Sequence, residues 1–259
     1  QARDTFRMLY KNNILMTSKP FAIGVRIQHP QDMIDKSQYG SLDLNLPPSS
    51  YKLTYKASNN RGVYTFCMCP GGYVVNSSST NGALAINGMS YHKRDSENAN
   101  SAIIDFGPLP LDGIKYQEEL ETKFYNACNG KIPVQLYGDF KQNKESCEFN
   151  DVKPLFKGDY KFYNLRKLFP EYISSSLIEA IDNMGLKIKS FNRYDAIIAG
   201  IESRTSSPIK IIRNDEFESN IGGIYPCGEG AGYAGGITSS AMDGIKVANH
   251  IIGKYKEAI

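Results

Sequence analysis

Residues 222–244 read GGIYPCGEGAGYAGGITSSAMDG, and this stretch decides how the rest of the sequence is interpreted. An apolar run leads to one acidic residue, Glu229, and glycines then crowd the approach to a helical pattern that begins near Thr238. The glycines around the acid are Gly228, Gly230, Gly232, Gly235 and Gly236. Because glycine loses more conformational freedom on folding than other residues, such density predicts tight turns or close approach of the backbone to a ligand.

The expected local structure is a short strand at 222–227, a glycine-rich turn and a helix over 238–254. The first N–H groups of a helix have no intrahelical acceptor and lie at the positive end of its dipole, so this helix end is suited to an anionic or electron-rich ligand. Glu229 is placed to accept hydrogen bonds from ligand hydroxyls, as an acidic residue does with ribose in dinucleotide sites. The alternative is a glycine-rich turn that serves packing alone.

The sequence upstream of this motif predicts a mixed or antiparallel sheet. Short β-prone runs are separated by Gly, Asn, Ser and Pro, as expected of strands joined by turns. They lie at 21–27, 52–55, 62–68, 72–75, 83–86 and 101–106, with two more at 196–202 and 209–212 around a polar loop at 203–208.

Helices are predicted where apolar residues recur at helical spacing. The expected ranges are 2–12, 115–127 and 176–184. In the third, Ser176 and Glu179 match a capping box and Gly185 marks the end. Residues 138–159 are polar and charged, and they predict a mobile surface loop. The fold class is therefore mixed α/β (α+β), with a sheet-like or barrel-like domain covered by helices.

Composition excludes several classes of protein. The chain is 41% hydrophobic and 22% charged, with a net charge of +3. No apolar run is long enough to span a bilayer. The small positive charge argues against a nucleic-acid partner, although basic and aromatic residues alternate over 153–167 and leave that alternative open. Five cysteines, an odd number, favour reduced thiols in the cytoplasm over a disulfide framework.

Three further groups of residues are candidates for chemistry. Cys67 and Cys69 lie two apart on a predicted strand, a spacing that suits a substrate-facing thiol or plain packing better than a disulfide. His92 lies in a polar turn, where a solvated loop is the alternative. Arg204, Ser206 and Ser207 could bind an anionic substrate, or the serines could cap their own backbone. Few histidines and no second cysteine pair argue against a metal site.

Several motifs together resemble a known family. They are ARDTF at 2–6, KPFAIGVR at 19–26, CMCPGG at 67–72, NGMSYH at 87–92, RTSSP at 204–208 and the glycine-rich motif. The last resembles the second FAD-binding motif of the glutathione-reductase-like flavoproteins. The set as a whole resembles a bacterial family of uncharacterised FAD-dependent dehydrogenases, and the similarity extends over almost the whole chain.

The resemblance implies a cofactor, a substrate and a missing partner domain. FAD would be held in part by Gly228, Glu229, Gly230 and Gly235, with Glu229 on the ribityl hydroxyls. The amides of Gly236, Ile237 and Thr238 would face the flavin pyrimidine. The family places an N-terminal Rossmann-type FAD domain upstream, in which a G-x-G-x-x-G follows a strand and an acid further on binds the adenosine ribose, and this sequence does not show that arrangement. We therefore expect a truncated chain that binds FAD weakly or not at all and is inactive alone.

The same resemblance predicts a division of the chain. Residues 1–16 would remain from the nucleotide-binding side, 17–219 would form the substrate or cap domain, and 220–259 would close the FAD site with a strand, a turn and a helix. The substrate would be a small organic molecule. Two other functions stay open: a non-catalytic binding module, and a flavoprotein that modifies RNA.

Overall fold

The computed structural model describes residues 3–42, 45–107 and 113–256. By internal contacts the chain divides into two compact units. The smaller unit comprises Gln1–Ala22, Gly107–Tyr116 and Arg204–Ile259, and the larger unit comprises Ile23–Phe106 and Gln117–Ser203, each with respect to its described residues. The domain boundaries predicted from sequence differ from this division at 17–22, at 107 and 113–116, and at 204–219, which belong to the smaller unit.

The described residues form six α-helices and twelve strands. The helices are α1 (Arg3–Lys11), α2 (Gln31–Tyr39), α3 (Gly113–Cys128), α4 (Tyr137–Gln142), α5 (Glu171–Lys187) and α6 (Ile237–Lys256). The strands are β1 (Met16–Ser18), β2 (Phe21–Pro30), β3 (Thr54–Lys56), β4 (Gly62–Cys69), β5 (Gly72–Asn76), β6 (Ile86–Ser90), β7 (Asn98–Gly107), β8 (Ile132–Leu136), β9 (Phe156–Lys157), β10 (Tyr160–Phe162), β11 (Ile197–Glu202) and β12 (Ile209–Ile211). This confirms the mixed α+β class.

A seven-stranded sheet dominates the larger unit. Its order is β10-β8-β11-β2-β7-β4-β3. Strand β11 pairs antiparallel with both β2 and β8, whereas β10 pairs parallel with β8. The central strands β2 and β11 are buried along almost their whole length, which explains why they read as nearly continuous apolar runs.

A second, three-stranded sheet in the larger unit has the order β6-β5-β9. Its buried residues Val74 and Ile86 pack against Ile132, Val134 and Ala199 of the large sheet. Three partly buried aromatic residues complete this cluster: Phe149, Phe156 and Phe162. Of the aromatic residues in 153–167, Phe156 and Phe162 thus contribute to a hydrophobic core.

Helix α5 begins earlier than the sequence predicted. Pro170 precedes it, and the buried stripe starts at Ile173. The predicted capping box is wrong because Ser176 Oγ donates to the Tyr172 carbonyl at 2.8 Å, and Glu179 accepts from Tyr55 Oη at 2.7 Å. Gly185 lies inside the helix and does not end it.

Two more local predictions are wrong. Residues 138–159 do not form one surface loop, because α4 and β9 lie within them and Phe140 is fully buried. The run at 83–86 is not a strand, since β6 starts only at Ile86. Helix α2 and strand β8 were not predicted from the sequence. No helix among the described residues has the length and apolarity needed to cross a membrane.

The smaller unit is built on α1, α6 and a two-stranded sheet. In this sheet β1 pairs antiparallel with β12, with Met16 opposite Ile211. A small core joins Ile14, Ile211 and Ala231. The strand expected at 222–227 is not found, and these residues form turns and extended backbone instead. The predicted strand, turn and helix are therefore a turn region followed by α6.

Candidate functional site

The glycine-rich segment forms a compact turn in the smaller unit. Gly228 and Gly232 adopt left-handed backbone conformations, with φ of +72° and +87°. Within the turn the Gly232 amide donates to the Glu229 carbonyl at 2.9 Å, and the Tyr233 amide donates to the Gly228 carbonyl at 3.0 Å. The Ile211 amide donates to the Ala231 carbonyl at 3.0 Å, so β12 holds the turn from one side.

The glycines of this turn fall into two groups. A Cβ at Gly232 would lie 2.5 Å from the Ile209 carbonyl oxygen, so the chain itself requires glycine there. By contrast, a Cβ at Gly230 or Gly235 would meet no atom of the described chain within 4 Å, and neither residue has a positive φ. Folding of the described residues therefore gives no reason for glycine at Gly230 and Gly235.

An ion pair fixes the turn against α6. Arg213 Nη2 lies 2.8 Å from Asp243 Oδ1, and Asp243 Oδ2 accepts the Gly228 amide at 2.9 Å. The guanidinium also lies 3.6 Å from the centroid of the Tyr233 ring. These bonds, chiefly the one from Arg213, lower the pKa of Asp243, so its carboxylate stays charged and holds the turn.

The N-terminus of α6 follows directly. Gly236 precedes the helix, and its amide lies 3.1 Å from Ser239 Oγ, so the helix satisfies this donor itself. The next amides, those of Ile237 and Thr238, belong to the first turn and have no intrahelical acceptor. The Ile237 side chain is 89% exposed, so it does not close the helix end.

Glu229 lies half-buried in the turn, near Lys19. Burial raises the pKa of Glu229, and the charge of Lys19 opposes this rise. Burial also lowers the pKa of Lys19, against the attraction of Glu229 and with the repulsion of Lys210. For both groups the loss of hydration outweighs their mutual attraction, so the acid and the amine are drawn toward their neutral forms. Lys19 opens the KPFAIGVR motif but was not predicted as a site residue.

The loop with Arg204, Ser206 and Ser207 lies beside this turn in the smaller unit. Ser207 Oγ is 3.1 Å from the Gly230 carbonyl and 2.9 Å from the Ile209 carbonyl. Ser206 Oγ accepts the Ala22 amide at 3.3 Å. Ser207 thus bonds to its own neighbouring backbone, as the capping alternative held, and it also joins the loop to the glycine-rich turn, whereas Ser206 bonds to a distant amide. A substrate role for the three residues stays a prediction.

The catalytic candidates belong to the larger unit. Cys67 and Cys69 end strand β4, and His92 lies in an exposed turn. His92 does not line the cleft of about 490 Å³ to which Arg94 and Asp95 contribute. All five cysteines are free thiols.

The sequence missed a fully buried charge in the larger unit. Arg26 of β2 is fully buried, and its Nε donates to Glu202 Oε2 of β11 at 2.7 Å. Arg26 Nη1 also donates to Asn100 Oδ1 at 2.6 Å, and Nη2 to Asn87 Oδ1 at 3.1 Å. Within the described chain, no three His, Cys, Asp or Glu side chains converge as in a metal site.

Comparison with known proteins assigns the chain to a family. The sequence model of a family described as "FAD-dependent protein, C-terminal domain-like" matches residues 20–205. A protein of Clostridium beijerinckii described as uncharacterized is 48% identical over 267 aligned residues, covering 98% of this chain and 50% of that protein. The chain thus spans about half the length of the curated relative that it matches. It belongs to the family of FAD-dependent proteins with this C-terminal domain.

Proposed function

We propose that this chain is the substrate-facing, C-terminal part of a cytoplasmic FAD-dependent dehydrogenase that acts on a small organic molecule. A dinucleotide-binding domain upstream would hold the ADP half of FAD, and the chain alone would be inactive. The observation that carries the proposal is the glycine pattern. A side chain at Gly230 or Gly235 would meet no described protein atom, and close approach of the backbone to a bound group is a reason for glycine at both positions.

The other residues of the turn fit a flavin. The half-buried Glu229 carboxylate would accept hydrogen bonds from the ribityl hydroxyls. The amides of Ile237 and Thr238 would face the pyrimidine end, where the helix dipole favours negative charge. The amide of Gly236 would not take part, because it already donates to Ser239 Oγ. When bound, FAD supplies the redox chemistry, and the chain's residues bind and orient.

Lys19 gains a role in this proposal. Its amine lies near Glu229 and Lys210 and is easier to deprotonate than an exposed lysine. A half-buried amine of this kind can hold a proton or an anionic group beside the cofactor. Ser207, which donates to the Gly230 carbonyl, would hold the loop that contains Arg204 against the glycine-rich turn. The loop would then bind the substrate through Arg204.

The test compares flavin binding in two lengths of the protein. We expect the protein purified with its upstream sequence to be yellow and the 259-residue chain to be colourless or nearly so. A colourless extended protein would instead support a non-catalytic binding module. A screen for compounds that bleach the flavin absorbance of the extended protein would then identify the substrate class.

A single substitution tests the placement of Glu229. In the extended protein, Glu229→Ala should weaken FAD binding by at least about tenfold, which is ~1.4 kcal/mol. The loss reflects the hydrogen bonds between the carboxylate and the ribityl chain. Glu145→Ala, at an exposed position of the larger unit, serves as the matched control. Equal affinity in the two variants would remove Glu229 from the site.

A further inference from the structure

Strand β4 contains a bulge that presents a cysteine. Phe66 pairs with Ala102 and Cys69 with Asn100, so residues 67 and 68 together face a single residue of β7. Cys67 has a φ of +47°, a left-handed conformation that costs a residue other than glycine roughly 1 kcal/mol. Glycine would avoid this cost, and its absence indicates that the side chain at 67 has a use. That side chain is exposed.

A second thiol and a buried cation lie directly behind this cysteine. Cys69 Sγ is buried and lies 3.3 Å from the Cys67 carbonyl oxygen. Arg26 Nη1 lies 3.2 Å from the same oxygen and 3.6 Å from Cys69 Sγ. A Cβ at Gly88 would lie 1.8 Å from Arg26 Nη1, so the glycine of the NGMSYH motif makes room for the guanidinium. The two cysteines and the arginine therefore form one preorganised cluster.

The electrostatics of the cluster separate the two thiols. A hydrogen bond with the Cys69 thiol, helped by the charge of Arg26, lowers the pKa of Cys67 to about 6, while burial and Glu202 oppose the shift. The same hydrogen bond and burial raise the pKa of Cys69. Tyr51 is the other titratable group beside Cys69, and burial raises its pKa, so it stays neutral. Near neutral pH the exposed sulfur is a thiolate and the buried one a thiol.

We propose that Cys67 and Cys69 form a redox-active dithiol that a hydroperoxide oxidises to a disulfide. The Cys67 thiolate attacks one peroxide oxygen, the O–O bond breaks, and the sulfur loses two electrons to become a sulfenic acid. The departing oxygen takes a proton from water. The Cys69 sulfur then attacks the sulfenic sulfur, an S–S bond forms, and the sulfenic hydroxyl leaves as water with the Cys69 proton.

The bulge removes the sequence argument against this disulfide. Two cysteines at positions i and i+2 of a regular strand are poorly placed to bridge. Here the backbone from Cys67 to Cys69 is not a regular strand, because the register shifts between Phe66 and Cys69. The Asn100 Nδ2 group beside Cys69 has no acceptor within the described residues.

The test is a peroxide titration of the reduced full-length protein, followed by alkylation and peptide mass spectrometry. We expect hydrogen peroxide to join Cys67 and Cys69 within one peptide. In Cys69→Ser the reaction should stop at a Cys67 sulfenic acid that dimedone traps, and Cys147→Ser should behave as the parent protein. If peroxide leaves both thiols of the parent protein free, the proposal is wrong, and this result needs no variant that might misfold.

Alkylation kinetics give a second, independent readout. At pH 6.5, iodoacetamide should modify Cys67 about tenfold faster than free cysteine, whose pKa is about 8.5. As the pH is lowered, the rate of Cys67 alkylation should decrease, with a midpoint near the Cys67 pKa of about 6. A Cys67 that reacts no faster than free cysteine would overturn the proposal. Neither readout involves flavin, so these experiments test the redox-active dithiol independently of the proposed dehydrogenase.

Discussion

At the scale of single residues, a buried histidine makes stability depend on pH. His29 is fully buried, and its Nε2 donates to the Phe191 carbonyl at 2.6 Å, while Nδ1 finds no partner in the described chain. A second proton would sit on Nδ1 without an acceptor. Burial accordingly lowers the pKa of His29 from 6.5 to about 4.

The sign of the pH effect follows from this lowered pKa. Below pH 6.5 His29 binds a proton in the unfolded chain, whereas in the folded protein it binds this proton only when the pH falls to about 4. His29 should therefore lower the free energy of unfolding by up to about 1.4 kcal/mol for each pH unit between these values, and by nothing further at lower pH. Urea unfolding measures the free energy of unfolding of the parent and of His29→Phe. The difference between the two values should change with pH over this window and be constant above pH 7. A difference independent of pH would contradict the assignment.

Arg26 illustrates which residues sequence analysis could not find. It lies in the apolar run FAIGVRI, where a single charge in a predicted strand is normally assumed to face solvent. Its partner Glu202 lies 176 positions away, so only the pairing of β2 with β11 brings the two charges together. Glu229, in contrast, was predicted, because the glycines that shape its turn are its sequence neighbours.

At the scale of elements, local signals located most helices and strands. Helices α1, α3 and α6 and strands β2, β4, β5, β7 and β11 match their predicted positions within a few residues, since apolar spacing and glycine or proline ends define them. Strand β8 and helix α4 were missed because tertiary contacts stabilise them. In α4, Asp139 is buried and bonds to Ser146 at 2.6 Å, which makes a polar sequence part of the interior.

The glycine-rich turn allows stability and ligand binding to be separated. Gly232→Ala should destabilise the protein by about 2 kcal/mol or more, because the new Cβ meets the Ile209 carbonyl and the residue needs a positive φ. Gly235→Ala has open space and should change the free energy of unfolding by less than about 0.5 kcal/mol.

The same two variants then report on FAD. In the extended protein, Gly235→Ala should weaken FAD binding at least about tenfold despite unchanged stability. Denaturant unfolding and flavin titration measure the two effects. A Gly235→Ala protein with full affinity would mean that the backbone at 235 approaches no ligand, and the glycine would need another explanation.

At the scale of the whole molecule, helix α6 carries an apolar stripe that the described residues leave exposed. The helix buries Val247, but it exposes a second apolar stripe with Ile245 and Ile252, each 61% exposed, and Met242 is 55% exposed. A helix that is apolar on two faces is normally buried on both. Sequence periodicity predicted this helix but could not show which of its faces the chain covers, since that depends on the fold of the smaller unit.

We expect the proposed upstream domain to cover the exposed stripe, and one substitution measured in two lengths of protein tests this. In the 259-residue chain, Ile245→Ala should change the free energy of unfolding by less than about 0.5 kcal/mol, because the side chain is largely in solvent. In the extended protein the same change should cost about 2 kcal/mol or more, as for a buried isoleucine. Val247→Ala is the matched control and should be costly in both lengths, since Val247 is only 4% exposed. Equal effects of Ile245→Ala in the two lengths would place the upstream domain elsewhere and leave the apolar stripe for a different partner.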